Sequence, residues 1–443
     1  MGLKKEQFYI CFINMTASMG FSLIAPLFPP MCKDKGISNQ ICSYLISILP
    51  LTQILVSIYF PIFAKKYGSK RIFFYSLIIQ ILTTIYYGIM NYINNKFYFI
   101  LTGFINRIIH GFSCCNTNII CFTITSLINK GPELEIATGY MEFSWMLGLT
   151  IGPFVISIFF SIGGYSLPFY ICALICLLPI YAFYQIPQID ENLYKDKNEE
   201  NSNNFESKNE QVDLLPLLKY PQYLLLIGAI VMETNSLGFY VPTLVNHLNE
   251  TWEVSTSKAS LFFLSSTVSY FIVLQKIDKL INYFGRFPLI SLGLILTVFT
   301  CLIIAPIYFL PYSYWTVLTG IIIQGVNQCF VIIPTFVELT NFSKYLFKDN
   351  IEMQNIIPST FFNLSFYFAD FFSPILGSFI CAHYNFETSA YFTSVITFFF
   401  WVSFYLFYKN EIKSFFNSKK IEEAIEIKKD SNLIPLPNKN NND

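Results

Sequence analysis

The chain has 443 residues, of which 54% are hydrophobic and 13% are charged. A soluble domain carries about 25% charged residues, so this composition excludes an ordinary soluble protein and is typical of an integral membrane protein. The 28 basic and 28 acidic residues cancel, which leaves no overall positive field to attract nucleic acid.

Twelve apolar segments are long enough to cross a bilayer, since a transmembrane helix needs about 20 apolar residues. They lie near 8–30, 41–64, 71–92, 97–125, 137–160, 166–186, 220–246, 258–275, 287–310, 312–339, 356–381 and 387–408. We therefore predict an all-α integral membrane protein with twelve transmembrane helices, arranged as two six-helix halves at 1–187 and 220–410. The polar segment 188–219 is predicted to be a disordered cytosolic linker, and 411–443 a polar tail.

The basic residues predict the orientation of these spans. The loops on the side opposite the N-terminus contain only Lys33, Lys35, Lys96 and Lys258, and Arg107 lies within a span. All other Lys and Arg residues fall on the N-terminal side. The positive-inside rule therefore predicts that both termini and the linker are cytosolic.

The two halves resemble each other at a spacing of about 220 residues. "LTGFINR" from Leu101 recurs as "LTGIIIQ" from Leu318, and "MEFSWMLGLTIGPF" from Met141 aligns with "FNLSFYFADFFSPI" from Phe362. A parallel repeat of six helices is found in transporters whose substrate site lies near the bilayer midplane, between the halves.

Two basic groups lie in the middle of the fourth span. A charge near the bilayer centre costs ~3 kcal/mol or more, so it normally faces a cavity or a partner. Arg107 and His110 are one helical turn apart, and we hypothesise a role in proton coupling. Arg107 would favour the ionised form of a nearby carboxylate, and histidine titrates near neutral pH. The alternative is that Arg107 binds backbone carbonyls and His110 is a packing residue.

Three carboxylates lie deep within predicted spans: Glu142, Glu233 and Asp370. A glutamate removed from water can exchange its proton for a cationic substrate, so Glu142 is predicted to act in proton coupling. Glu233 and Asp370 are predicted to bind a cation. Three deep carboxylates against one deep arginine favour a cationic substrate. The alternative for Glu142 is a protonated side chain that is hydrogen-bonded between helices.

Three further residues complete the predicted substrate-binding set. Trp145 lies one turn beyond Glu142 and could offer an aromatic face to an organic cation. At the repeat spacing, Asn363 corresponds to Glu142 and Gln324 corresponds to Arg107. The ionisable members of these pairs therefore lie in the first half.

A conformational hinge is predicted in the fifth span and at its repeat. Gly148 and Gly152 are four residues apart, which permits close approach of a neighbouring helix. Pro153 removes a backbone donor and favours a bend. Pro374 occupies the equivalent place in the second half.

Several stretches resemble a known family. They are "GFSLIAPLFPPMCKDKGIS" in the first span, "FINRIIHGF" in the fourth, "GYMEFSWMLGLTIGPFV" in the fifth, and "VIIPTFVEL" and "SPILGSF" in the second half. The chain resembles the drug:proton antiporter branch of the major facilitator superfamily, and within it the vesicular amine transporters, especially the polyamine type. This resemblance implies a proton antiporter that moves organic cations into acidic organelles. Arg107 matches the family's fourth-helix arginine.

The resemblance also implies a gating loop. "FPIFAKKYGSKR" retains Gly68, Lys70 and Arg71 of the family's loop between the second and third helices, but has Lys65 where the family has an acid. The counterpart loop "KIDKLINYFGR" keeps Asp278.

The resemblance is less close to the monoamine and acetylcholine members. Their aspartates in the first and eleventh helices are replaced by Ala17 or Ser18 and by Asn363. Monoamines and acetylcholine are therefore disfavoured as substrates.

The sequence as a whole favours a monomeric, proton-coupled antiporter of polyamines or related organic cations, in the membrane of a vesicle or acidic organelle. Its expected partners are the small-molecule substrate, the proton and the lipid bilayer, with no cofactor, metal or nucleic acid. No phosphate-binding Gly-rich loop or nucleophile motif occurs, so we do not expect an enzyme. The alternatives are a facilitator of a neutral or anionic metabolite centred on Arg107, and a non-transporting membrane sensor of the same fold.

Overall fold

The computed structural model describes residues 4–186, 219–254, 256–306, 311–348 and 350–431. The helices of the first half are α1 Lys5–Ser22, α2 Ile24–Asp34, α3 Asn39–Tyr67, α4 Ser69–Ile89, α5 Lys96–Ile128, α6 Pro132–Gly163, α7 Ser166–Ile175 and α8 Leu178–Tyr184. Those of the second half are α9 Pro221–Trp252, α10 Thr256–Leu274, α11 Ile277–Phe284, α12 Arg286–Ile304, α13 Tyr314–Leu346, α14 Ile351–His383 and α15 Phe386–Ser431. Nearly all of the predicted linker, and the tail beyond Ser431, lie outside the described residues.

The predicted membrane spans are present as helices. Within the described ranges, 11 segments are long and apolar enough to cross a membrane. The first span combines α1 with α2, and the sixth combines α7 with α8. The eighth predicted span coincides with α10, whose part Phe262–Leu274 is a shorter apolar helix. The all-α membrane fold is thus confirmed.

Local sequence explains where several helices begin and turn. Four helices start at a polar side chain that accepts a hydrogen bond from the backbone of the first turn, at Ser38, Asn95, Ser313 and Asn350. Gly68 ends α3 and Gly285 ends α11, with φ of 79° and 83°. This left-handed backbone favours glycine, and it recurs at equivalent loops of the two halves.

Close helix pairs also recur in both halves. A Cβ added to Gly148 of α6 would lie 2.1 Å from the Met15 carbonyl oxygen of α1. In the second half, a Cβ on Gly377 of α14 would lie 2.7 Å from the Phe239 carbonyl oxygen of α9. Glycine therefore sets the distance between the two backbones in each pair. Both α6 and α14 run as continuous helices through Pro153 and Pro374, and their role as a hinge stays a prediction.

The buried core differs between the two ends of the bundle. We call the end at which α1 begins the N-terminal face, and the other end the opposite face. At the N-terminal face one cluster contains residues of both halves, including Ile10, Phe122, Tyr223 and Phe336. At the opposite face, the described apolar side chains form one cluster within each half. The described core therefore joins the two halves at the N-terminal face, whereas each described apolar cluster at the opposite face belongs to one half.

Candidate functional site

An ion network joins the halves at the N-terminal face. Arg286 begins α12, and its Nη2 lies 2.7 Å from Oε1 of Glu135 on α6 of the first half. Its Nε donates to the same oxygen at 2.8 Å. Its Nη1 lies 2.9 Å from Oε1 of Glu338 on α13. The Glu135 side chain is only 1% exposed, so this network holds a buried carboxylate while the face is closed.

A second contact between the halves lies deeper in the bundle. Nδ2 of Asn118 on α5 donates to the Tyr367 hydroxyl on α14 at 3.1 Å. Three aromatic rings pack below this bond, toward the N-terminal face. The Phe122 ring centroid is 5.2 Å from that of Phe336 and 4.8 Å from that of Phe362, and the latter two are 4.8 Å apart. We call Phe122, Phe336 and Phe362 the aromatic lock, since the first belongs to one half and the others to the other half.

Two of the predicted carboxylates, Glu142 and Asp370, lie within electrostatic range of each other. Asn363, Tyr367 and Asp370 follow one another along one face of α14 at helical spacing. Since Tyr367 contacts the first half, this face of α14 is turned toward the first half, and Asp370 is exposed. Glu142 on α6 is 4% exposed and lies within electrostatic range of Asp370. Among the described residues, neither carboxylate forms an ion pair.

Glu233 and Gln324 are also brought together, but within the second half. Nε2 of Gln324 donates to Oε1 of Glu233 at 2.6 Å and to the Ser236 hydroxyl at 2.8 Å. The Thr297 hydroxyl donates to the other carboxylate oxygen of Glu233. Glu233 and Gln324 are each 0% exposed, so in this conformation they form a closed network between α9, α12 and α13. Their role in binding substrate stays a prediction.

Arg107 and His110 lie inside the first half. Nε of Arg107 donates to the carbonyl oxygen of Leu45 at 3.1 Å, and Nη2 donates to that of Ile46 at 2.8 Å. Nδ1 of His110 lies 3.3 Å from the Tyr87 hydroxyl. The contacts of Arg107 match the alternative in which it binds backbone carbonyls of a neighbouring helix. A coupling role for either residue stays a prediction.

The remaining predicted residues lie around this framework. The Trp145 ring is partly buried and packs 6.3 Å from the ring of Phe21 on α1. Asn363 accepts from the Tyr367 hydroxyl at 3.5 Å. The gating-loop residues Gly68, Lys70, Arg71 and Asp278 lie at the N-terminal face.

Sequence reasoning missed the charged contact that closes this face. Neither Glu135 nor Glu338 is among the carboxylates for which the sequence predicts a role. A signal was present in Arg286, which directly follows the turn glycine of "KIDKLINYFGR". The pairing of Asn118 with Tyr367 had no signal, because the two residues are 249 positions apart.

Two halves of membrane-spanning helices that are joined across one face of the bundle are the architecture of a secondary transporter. The chain belongs to the Major Facilitator Superfamily, whose sequence profile matches residues 10–343. It is a membrane transporter and not an enzyme.

Relatives extend over most of the chain. It is 25% identical over 421 residues to the "MFS-type transporter SLC18B1" of Mus musculus, and this alignment covers 92% of this chain and 87% of that protein. It is 24% identical over 295 residues to "Multidrug resistance protein 2" of Bacillus subtilis, covering 66% of this chain and 71% of that protein. A bacterial homologue of the iron transporter ferroportin in an outward-facing state has a TM-score of 0.68 at 12% identity, covering 90% of this chain and 98% of that structure. At that identity the likeness shows the fold alone.

Proposed function

We propose that the protein is a proton-coupled antiporter of polyamines or related organic cations that works by alternating access. The observation that carries the proposal is that Glu142 and Asp370 lie within electrostatic range of each other and form no ion pair among the described residues. Two neighbouring carboxylates in a poorly hydrated region cannot both be ionised at low cost unless a cation neutralises them. A bound proton and a cationic substrate would both meet this need, so the two compete for one site. That competition is the requirement for antiport.

The orientation supports the direction of transport. With the basic N-terminal face in the cytosol, the described ion network and shared core close the cytosolic side. Protons from an acidic lumen would then reach the carboxylate pair and displace the cation on the luminal side. The likeness to a protein named "MFS-type transporter SLC18B1" and to one named "Multidrug resistance protein 2" supports an organic substrate, and an organellar membrane is part of this proposal.

The test is uptake of labelled spermidine into proteoliposomes with an inside-acid pH gradient. Glu142→Gln and Asp370→Asn keep the side-chain size and remove the charge. We expect each to abolish gradient-driven uptake with the protein folded. Glu133→Gln is the matched control, because Glu133 lies on the same helix but forms an exposed pair with Lys4 at 2.8 Å. It should transport normally.

Proton movement provides a second readout. Addition of spermidine to proteoliposomes with a trapped pH dye should move protons outward in wild type and in Glu133→Gln, but not in Glu142→Gln. Uptake that ignores the pH gradient would instead favour a facilitator. Absence of flux for amines in folded wild-type protein would refute the proposed substrate class.

A further inference from the structure

At the contact between Asn118 and Tyr367, one buried polar atom forms no hydrogen bond within the described structure. Asn118 is 3% exposed, and its Oδ1 has no hydrogen-bond partner among the described residues. An unpaired buried amide oxygen is unfavourable, because it has lost its hydrogen bonds to water without gaining another. Thr360, on the same helix as Tyr367, also has a buried hydroxyl without a partner. The floor of the space between the halves thus offers an acceptor that no described protein group satisfies.

This acceptor lies beside Tyr367, which is about one turn from Asp370 on α14. Asp370 follows Tyr367 by three residues, which is about 4.5 Å along α14. The Asp370 carboxylate is charged and exposed, whereas Oδ1 of Asn118 is neutral and buried. A ligand that satisfies both needs two donor groups joined by a narrow apolar chain. A linear diamine has this form, and a monoamine of equal length does not.

We propose that Asn118 and Tyr367 form a second subsite that accepts the distal amino group of a linear diamine whose first amino group is held by Asp370. The inference rests on the proposed transport of organic cations and adds the residues that determine selectivity. The distal group donates to Oδ1 of Asn118, while Nδ2 of the same amide keeps donating to the Tyr367 hydroxyl.

The experiment compares two competitors of labelled spermidine uptake in proteoliposomes. Putrescine and butylamine have the same carbon chain, but only putrescine has a second amino group. Wild type should be inhibited more strongly by putrescine. In Asn118→Ala this preference should fall about tenfold, as expected for loss of one hydrogen bond to a charged group, while inhibition by butylamine stays unchanged.

Two variants separate this role from a structural one. Asn116→Ala removes the same side chain two residues away, on the side of α5 turned from α14, and should keep the wild-type preference. Tyr367→Phe keeps the ring and removes only the hydroxyl, so it decides the question if Asn118→Ala does not fold. It should also weaken the preference for putrescine.

The outcomes distinguish the subsite from the proposed function. Gradient-driven uptake with equal inhibition by putrescine and butylamine in wild type would overturn the subsite and leave antiport intact. An unchanged preference in folded Asn118→Ala and Tyr367→Phe would overturn it as well. Failure of wild type to couple uptake to the pH gradient would instead overturn the proposed antiport.

Discussion

The ion network at Arg286 predicts a measurable shift between conformations. In Arg286→Gln, Glu135 would remain buried at the closed N-terminal face without its counter-charge, whereas an open face would hydrate it. Breaking a buried ion pair costs about 3–5 kcal/mol. The Arg286 side chain is 29% exposed, and this solvent access lowers our expectation to about 2 kcal/mol. The closed state should therefore lose roughly thirtyfold in population relative to the open state.

Distances between spin labels can measure this shift. Tyr67 ends α3 and Tyr345 lies near the end of α13, and they are 51% and 69% exposed, so labels there report on the separation of the halves at the N-terminal face. Spin-labelled amino acids introduced at these positions avoid the 11 cysteines. We expect a longer-distance population to grow strongly in Arg286→Gln.

A matched control lies on the same face. The pair of Lys4 with Glu133 has side chains that are 43% and 41% exposed, and both residues belong to the first half. An exposed pair contributes about 0–1 kcal/mol and does not join the halves, so Glu133→Gln should leave the distances unchanged. A distance distribution in folded Arg286→Gln that matches wild type would refute the argument that this network holds the face closed.

Two further predictions concern stability. Gly148→Ala should lower the melting temperature strongly, because the added Cβ would lie 2.1 Å from a backbone carbonyl oxygen of α1. The control Gly20→Ala should change the melting temperature little, because the nearest atom to its Cβ is 3.7 Å away. Equal effects of the two substitutions would contradict the close packing of α1 on α6. His247, beyond the predicted seventh span, has a pKa lowered by burial and partly restored by Glu387 and Glu250, and its ring contacts Tyr312, which donates to Glu387. Because the unfolded chain then binds the proton more tightly, the free energy of unfolding should fall as pH drops below about 6.5. Melting temperatures across this range should show less pH dependence in His247→Phe than in wild type, and the control His383→Gln should behave as wild type; an unchanged pH dependence in His247→Phe would refute this role.

The fold was predictable because it depends on residue type and order. Long apolar segments and their repeat predict membrane helices in two halves, and turn residues such as Gly68 predict where helices end. The pairing of Asp370 with Glu142 was within reach, since both are charges that a bilayer does not tolerate without a cavity or partner.

The partners of individual side chains were not predictable. The sequence predicts that Arg107 is a charged residue within the membrane. A guanidinium can donate hydrogen bonds to carboxylates or to carbonyl oxygens. Here the carbonyl oxygens of Leu45 and Ile46 accept from it. Glu233 is predicted to bind a cation, but the sequence gives no sign that Gln324, 91 residues away, donates to its carboxylate. Such choices depend on how helices rotate against each other, which the pattern of apolar residues leaves loosely determined.

The aromatic lock has a consequence for the speed of transport. Phe336 and Phe362 are 0% exposed and Phe122 is 3% exposed, so opening the N-terminal face wets three rings that were dry. Hydration of apolar surface raises the heat capacity. If the rings are already exposed in the transition state for opening, that state has a higher heat capacity than the closed state. The turnover rate should then curve in an Eyring plot, and the aromatic lock would make transport by this protein unusually sensitive to temperature.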